Sequence, residues 1–293
     1  MFTNEISKVI WESGNLIYSC TFTYNTSSKM DVITDDRESR LAVLQDTFSN
    51  KISLQTAAEK LASIALSDDV NAGVGRLWTH LLTTALECPK HHDKLVGVLV
   101  HLSKLPDAKT EQGDPIILYN MQVWKDLPML GWHFHYEWNG PSVPPGPWDR
   151  QQKAISTFIN LNRFTALLMA TKEPVFKYSW FALVTFCSAL ETPPINLHEG
   201  ESLDATVPAA AAWVEIPGVE MYEWDKEFEH RPALGKGGPL WKGKHGFCEE
   251  RWQFWRERFG VLARMEGKLG EEARTAAKDA EIVMGEIENG DVE

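Results

Sequence analysis

The chain has 293 residues, 43% of them hydrophobic, with a formal net charge of −12. That length buries roughly three quarters of the unfolded surface in one domain, or supports two smaller ones. The acidic balance argues against nucleic acid as the principal partner, because phosphate binding needs a basic surface.

Cys20, Cys88, Cys187 and Cys248 are far apart and form no Cys-x-x-Cys pair, which argues against structural zinc and a disulfide framework and suits a reducing compartment. Glu5, Lys8 and Glu12 precede any long apolar run, unlike a signal peptide, so a cytoplasmic place is expected.

Residues 1–37 read as a poorly patterned arm, with the Ser/Thr tail of "LIYSCTFTYNTSS". From Glu38 onward the period is helical. Leu41, Leu44, Phe48 and Ile52 open it, and Leu77, Trp78, Leu81, Leu82 and Ala85 stripe one face of "VGRLWTHLLTTALE". "ECPKHHD" holds a cysteine and two histidines in a manner that faintly resembles haem-thiolate peroxygenase elements, but no proline precedes the cysteine. It reads as a turn between helices, with Asp93 opening the next one.

"GWHFHYEWNG" at 131–140 is ambiguous. With a period of two, His133, His135 and Glu137 share a strand face and make a plausible zinc site. With a period of 3.6 that site dissolves. Helices flank the stretch and a lone strand has no partner, so a helix over 127–138 is expected, capped by Asp126 with Pro128 in its first turn, and no metal. The Pro-rich loop at 139–148 is a candidate subdomain break.

Ile155, Phe158, Leu161, Phe164, Thr165 and Leu168 line the next helix. "VFKYSWFALVTFCSAL" at 175–190 is the nearest approach to a membrane span, but it is short and contains Lys177, so it reads as a buried helix and no membrane is expected. In "SLDATVPAAAAWVEI", Ser202 is a cap and Ala209 to Ala212 allow close helix approach. Trp252, Trp255, Phe259 and Leu262 stripe a further helix, and "EEARTAAKDAEIVMGEIE" makes the last. The sum is an all-α domain of about ten helices over 38–293.

Candidate site residues follow from polarity within apolar surroundings. Asn162, Arg163 and Glu191 adjoin the most apolar helices, where a buried charge must be paired or serve a ligand; they are the catalytic candidates. Trp180 and Trp213 would wall a pocket beside them. "GKGGPLWKGKHGF" at 235–247 has the spacing of a phosphate loop, but His245 replaces the magnesium ligand and no strand precedes it. Lys242, Lys244 and Arg251 remain as candidates for holding an anion at the following helix start. The twelve tryptophans invite comparison with terpene cyclases, but "DDRES" and "DDVNA" lack the acidic spacing for magnesium diphosphate.

"LWTHLLTTALECPKHHDKLVGVL", "VWKDLPMLGWHFHYEWN", "INLNRFTALL", "LDATVPAAAAWV" and "GGPLWKGKHGFCEERWQFWRERF" occur in a set order. Together they resemble a fungal domain-of-unknown-function family, family 3632 (oxopyrrolidine-cluster protein G-like), over roughly residues 40 to 290. The resemblance implies a fungal source, a helical fold and, for some members, a place in specialised-metabolite gene clusters. It carries no catalytic residue set.

Three functions remain. One is a protein that binds a small apolar or aromatic metabolite, or a cofactor-independent enzyme of fungal specialised metabolism performing cyclisation, condensation or isomerisation. Arg163 or Lys242 would then polarise a carbonyl while Glu191 moves a proton. The second is a non-catalytic helical module that docks a protein partner through Ala-rich and Trp-rich faces. The third is a metal-dependent hydrolase at His133, His135 and Glu137. No redox or nucleotide motif is present and no cofactor is expected.

Overall fold

The computed structural model describes residues 30–67, 69–138, 143, 145–194, 202–225 and 236–291. The chain divides into two compact units, Met1–Ser39 and Arg40–Glu293. Most of the N-terminal arm and half of the 139–148 loop lie outside the described residues.

The fold is all-α, with eleven helices among the described residues. They are α1 (Met30–Phe48), α2 (Leu54–Ala65), α3 (Val70–Glu87), α4 (His92–Ser103), α5 (Leu130–Glu137), α6 (Trp148–Ala170), α7 (Ser179–Leu190), α8 (Leu203–Glu215), α9 (Gly218–Tyr222), α10 (Glu249–Ala263) and α11 (Glu271–Asn289). A short 3-10 turn, Pro89–His91, joins α3 to α4. The first helix begins at Met30, ahead of the periodicity that marks Glu38.

Side-chain caps define several starts. Ser53 accepts from Thr56 N at 3.1 Å, Asp69 from Asn71 N at 3.0 Å, and Ser202 from Asp204 N at 3.2 Å, each satisfying an amide the first helical turn leaves open. The expected cap at Asp126 is a correction. The helix starts at Leu130 rather than 127, Met129 precedes it in a left-handed conformation (φ 66°), and Asp126 instead accepts from Gln122 N at 2.8 Å. Likewise α7 begins at Ser179, so residues 175–178 precede the helix.

Helix α8 is the centre of the C-terminal half, packed against α6, α7 and α11, while α2, α3 and α4 group at the other end. The alanines explain the first cluster. Ala205, Ala209, Ala210 and Ala212 are buried, and their small side chains let neighbouring helices approach closely. The Ala-rich face is therefore spent on internal packing and is not the docking surface that the sequence suggested. The stripe Trp252, Trp255, Phe259 and Leu262 is core as expected, each residue at most 2% exposed.

Among the described residues, one hairpin interrupts the helices. Strands β1 (Ile117–Leu118) and β2 (Met121–Gln122) pair antiparallel with Leu118 opposite Met121.

Candidate functional site

The hairpin and α5 present an open aromatic face. Along α5, Leu130, Phe134 and Trp138 recur at spacings of four and are buried, so Trp132 and Tyr136, also four apart, point outward. Trp132 is 53% exposed and Tyr136 75%. Across the hairpin tip, Tyr119 is 52% exposed and meets the Trp132 ring edge-on, with centroids 4.7 Å apart.

The backbone under this face is strained. Tyr119 and Asn120 form the two-residue hairpin loop with φ of 52° and 63°. Both positions favour Gly or Asn, and a tyrosine there costs on the order of 1 kcal/mol. Leu127 (φ 46°) and Met129 (φ 66°) repeat the pattern on either side of Pro128. That turn is fastened to α3, because Pro128 O accepts from Trp78 Nε1 at 2.7 Å, and Leu127 and Leu130 are buried. Packing thus holds in place a conformation that local preference opposes.

The polar candidates from the sequence lie elsewhere and divide into separate groups. Asn162 is fully buried, its carbonyl oxygen accepting from Thr185 Oγ1 at 2.8 Å and Trp213 Nε1 at 2.9 Å, while its amide donates to Phe158 O. Arg163 does not meet Glu191. It forms a two-pronged ion pair with Glu215 at the surface, 2.6 and 2.5 Å. Adjacent in sequence, Asn162 and Arg163 both reach α8, Asn162 in the core at Trp213 and Arg163 at the surface at Glu215.

Glu191 is fully buried at the end of α7 and pairs with Arg251 of α10. Its carboxylate accepts from Arg251 Nε at 2.7 Å and Nη2 at 2.9 Å, from Trp255 Nε1 at 2.7 Å and from Gly238 N at 2.6 Å. Arg251 also donates to Gly246 O at 2.6 Å and to Cys187 Sγ at 3.2 Å. Burial, with the Glu191 charge beside it, pushes the Cys187 thiol well above its ordinary pKa, which keeps it unreactive.

The Gly-rich segment explains itself in this setting. Gly237 has φ of 92°, and a Cβ there would meet Arg251 and Glu191; at Gly238 it would meet the Glu191 backbone. The loop does hold an anion, but that anion is the chain's own carboxylate. Lys242 is exposed, and Lys244 pairs with Asp225. The expected convergence of Lys242, Lys244 and Arg251 on an external anion is thereby corrected: the guanidinium is already committed.

Trp213 is fully buried and hydrogen-bonded to Asn162, while Trp180 is half-buried against the main core. His133 is half-buried with Nδ1 3.5 Å from Thr79 Oγ1, whereas His135 and Glu137 are exposed. Among the described residues, no three His, Cys, Asp or Glu side chains are grouped to hold a metal ion. No helix among them is long and apolar enough to cross a membrane.

A family model described as "Protein of unknown function (DUF3632)" matches residues 78–259. The chain belongs to the DUF3632 family. The matched span runs from Trp78, which fixes the Pro128 turn, to Phe259 in the α10 stripe, and includes both the aromatic face and the Glu191–Arg251 pair. Within it, "GPLWKG" followed by "RWQFWRERF" is accounted for physically: the glycine covers the buried carboxylate, Arg251 and Trp255 bind it, and Trp252 and Phe259 complete the core. No curated protein and no solved structure matches the chain.

Neither the partner of Glu191 nor the aromatic face was evident in the sequence. The adjacent Gly237 and Gly238 were the only signal for the first, since paired glycines ahead of a Trp/Arg helix suit a close backbone approach. For the second, the signal was the helical period of residues 130–138, which places Trp132 and Tyr136 on the side opposite Phe134.

Proposed function

We propose that this DUF3632 protein is a non-catalytic interaction module that docks a protein partner through the face formed by Tyr119, Trp132 and Tyr136. The carrying observation is that these rings are half to three-quarters exposed while strained, well-packed backbone holds two of them edge to face. Contiguous exposed aromatic residues mark binding surfaces, and Trp and Tyr dominate the energetics of protein interfaces. The face is formed by an outward helix side and a hairpin tip, whereas small-molecule sites enclose most of their ligand. The charge of −12 disfavours nucleic acid as the partner. A fungal source and a role in specialised metabolism belong to the same proposal and rest on the sequence resemblance, and a cytoplasmic place rests on the cysteine pattern and the charged N-terminal residues.

The test places a photo-crosslinking amino acid at Tyr136, with a second at Ile282, exposed on α11, as reference. Irradiation in cells of the source organism should give a discrete protein adduct from position 136 and none from 282. Adducts from 282 alone would refute the assignment.

A second reading, binding of a small apolar metabolite or turnover of it without a cofactor, is supported by one observation. The Trp138 indole N–H is buried without an acceptor, against Phe158, Phe181 and Trp213 at 6.1, 4.3 and 6.5 Å. A buried donor left unpaired costs roughly 1–3 kcal/mol, which a ligand carbonyl would offset. Mass spectrometry of the purified protein tests this: a stoichiometric carbonyl compound lost on Trp138→Phe supports it, and its absence removes the reading.

A further inference from the structure

The turn "KHHD" between α3 and α4 joins four helices through two imidazoles. His91 stacks flat on Phe48 at the end of α1, centroids 3.9 Å apart and planes 4° from parallel. His92 is buried, donates from Nε2 to Ala85 O of α3 at 2.8 Å, and packs against Phe164 of α6 at 5.3 Å. Its Nδ1 is buried with no hydrogen-bond partner. In this tautomer Nδ1 carries no proton, and protonation would create a donor with nothing to receive it.

The electrostatic surroundings oppose a positive charge on either ring. His91 is the residue before α4 and His92 is its first residue, so both stand at the positive end of the helix dipole. Lys90 and Lys94 flank His91. Lys94 is held nearby by Phe48 O at 2.7 Å, Thr47 O at 3.2 Å and Asn50 Oδ1 at 2.7 Å. The charge of Arg163 on α6 opposes a proton on His92, and that of Asp93 favours one. Three acidic groups of the adjoining elements are paired elsewhere: Asp46 of α1 with Lys51, Glu87 of α3 with Lys153, and Glu215 of α8 with Arg163.

We propose that the His91–His92 turn is an acid-sensitive clasp: neutral imidazoles bind the start of α4 to α1, α3 and α6, and protonation releases it. The directions agree. Burial first, then Lys90 and Lys94, hold His91 below its ordinary pKa; burial first, then Arg163, hold His92 below its own, against the Ala85 carbonyl and Asp93. With folded-state values depressed, the clasp is intact above the ordinary imidazole pKa of about 6.5 and weakens as pH falls from there toward the folded values. Each imidazole that gains a proton on opening raises the opening constant by about tenfold per pH unit across that window.

The experiment follows amide hydrogen exchange along Leu95–Leu99, corrected for intrinsic exchange, from pH 7.5 to pH 5 in the wild-type chain and in the double variant His91→Phe/His92→Gln. Phenylalanine keeps the stack on Phe48, and glutamine can still donate to Ala85 O, but neither titrates. The wild type should show opening that steepens below pH 6.5, and the variant should show it at least tenfold less at pH 5. Equal pH dependence in the two proteins overturns the clasp. Independently of the variant's folding, imidazole titration by NMR in the wild type should place both rings below 6.5, and a value for His92 at or above 6.5 also overturns it.

Discussion

Arg251 and Arg163 show what a charge contributes according to where it sits. Arg251 is fully buried, and removing it takes the cation from a Glu191 carboxylate that also accepts from Trp255 Nε1 and Gly238 N. Arg251→Met should cost about 3–5 kcal/mol in urea unfolding, the range for a buried charge stripped of its partner. Arg163→Met should cost no more than about 1 kcal/mol, because its pair with Glu215 is 40% and 58% exposed and water screens it. If the two variants lose equal stability, the burial argument is wrong. Residue types near apolar runs told us which side chains would be buried or paired, and Asn162 and Glu191 are indeed buried. The sequence could not indicate that Glu191 meets Arg251, sixty positions away, rather than Arg163, because that choice is made by how α7 and α10 pack.

Among the elements, α10 was the most legible and α5 the least. The spacing of Trp252, Trp255, Phe259 and Leu262 has one helical solution, and a stripe of four large apolar residues must face the core. The start of α5 is set instead by Met129 in a left-handed conformation and by the Trp78–Pro128 hydrogen bond, neither of which has a local signature. The α2–α3 corner depends on a close approach of the same hidden kind. A Cβ on Gly73 would collide with the carbonyl oxygen of Ala65. Gly73→Ala should therefore destabilise the chain by about 1–3 kcal/mol despite alanine's better helix propensity, as overpacking does. Thermal unfolding reads this directly, and a neutral or stabilising result would mean the corner yields. At the hairpin, Tyr119→Asn should leave stability unchanged within about 1 kcal/mol, since asparagine tolerates the left-handed position while the Trp132 contact is lost.

At the scale of the whole molecule, the all-α class follows from a helical periodicity that, among the described residues, gives eleven helices and one short hairpin. Asn162 and Glu191 are absorbed in holding this scaffold together, whereas packing leaves the aromatic face on α5 and the hairpin exposed. The central claim is that this face binds a protein partner. The most direct measurement is the affinity for the crosslinked partner of wild type and of Trp132→Ala/Tyr136→Ala, alongside their unfolding midpoints. The account predicts a weakening of roughly 30-fold or more, about 2 kcal/mol for loss of aromatic anchors, with unfolding shifted by no more than about 1 kcal/mol because both rings are exposed. Unchanged affinity in the folded double variant would contradict it.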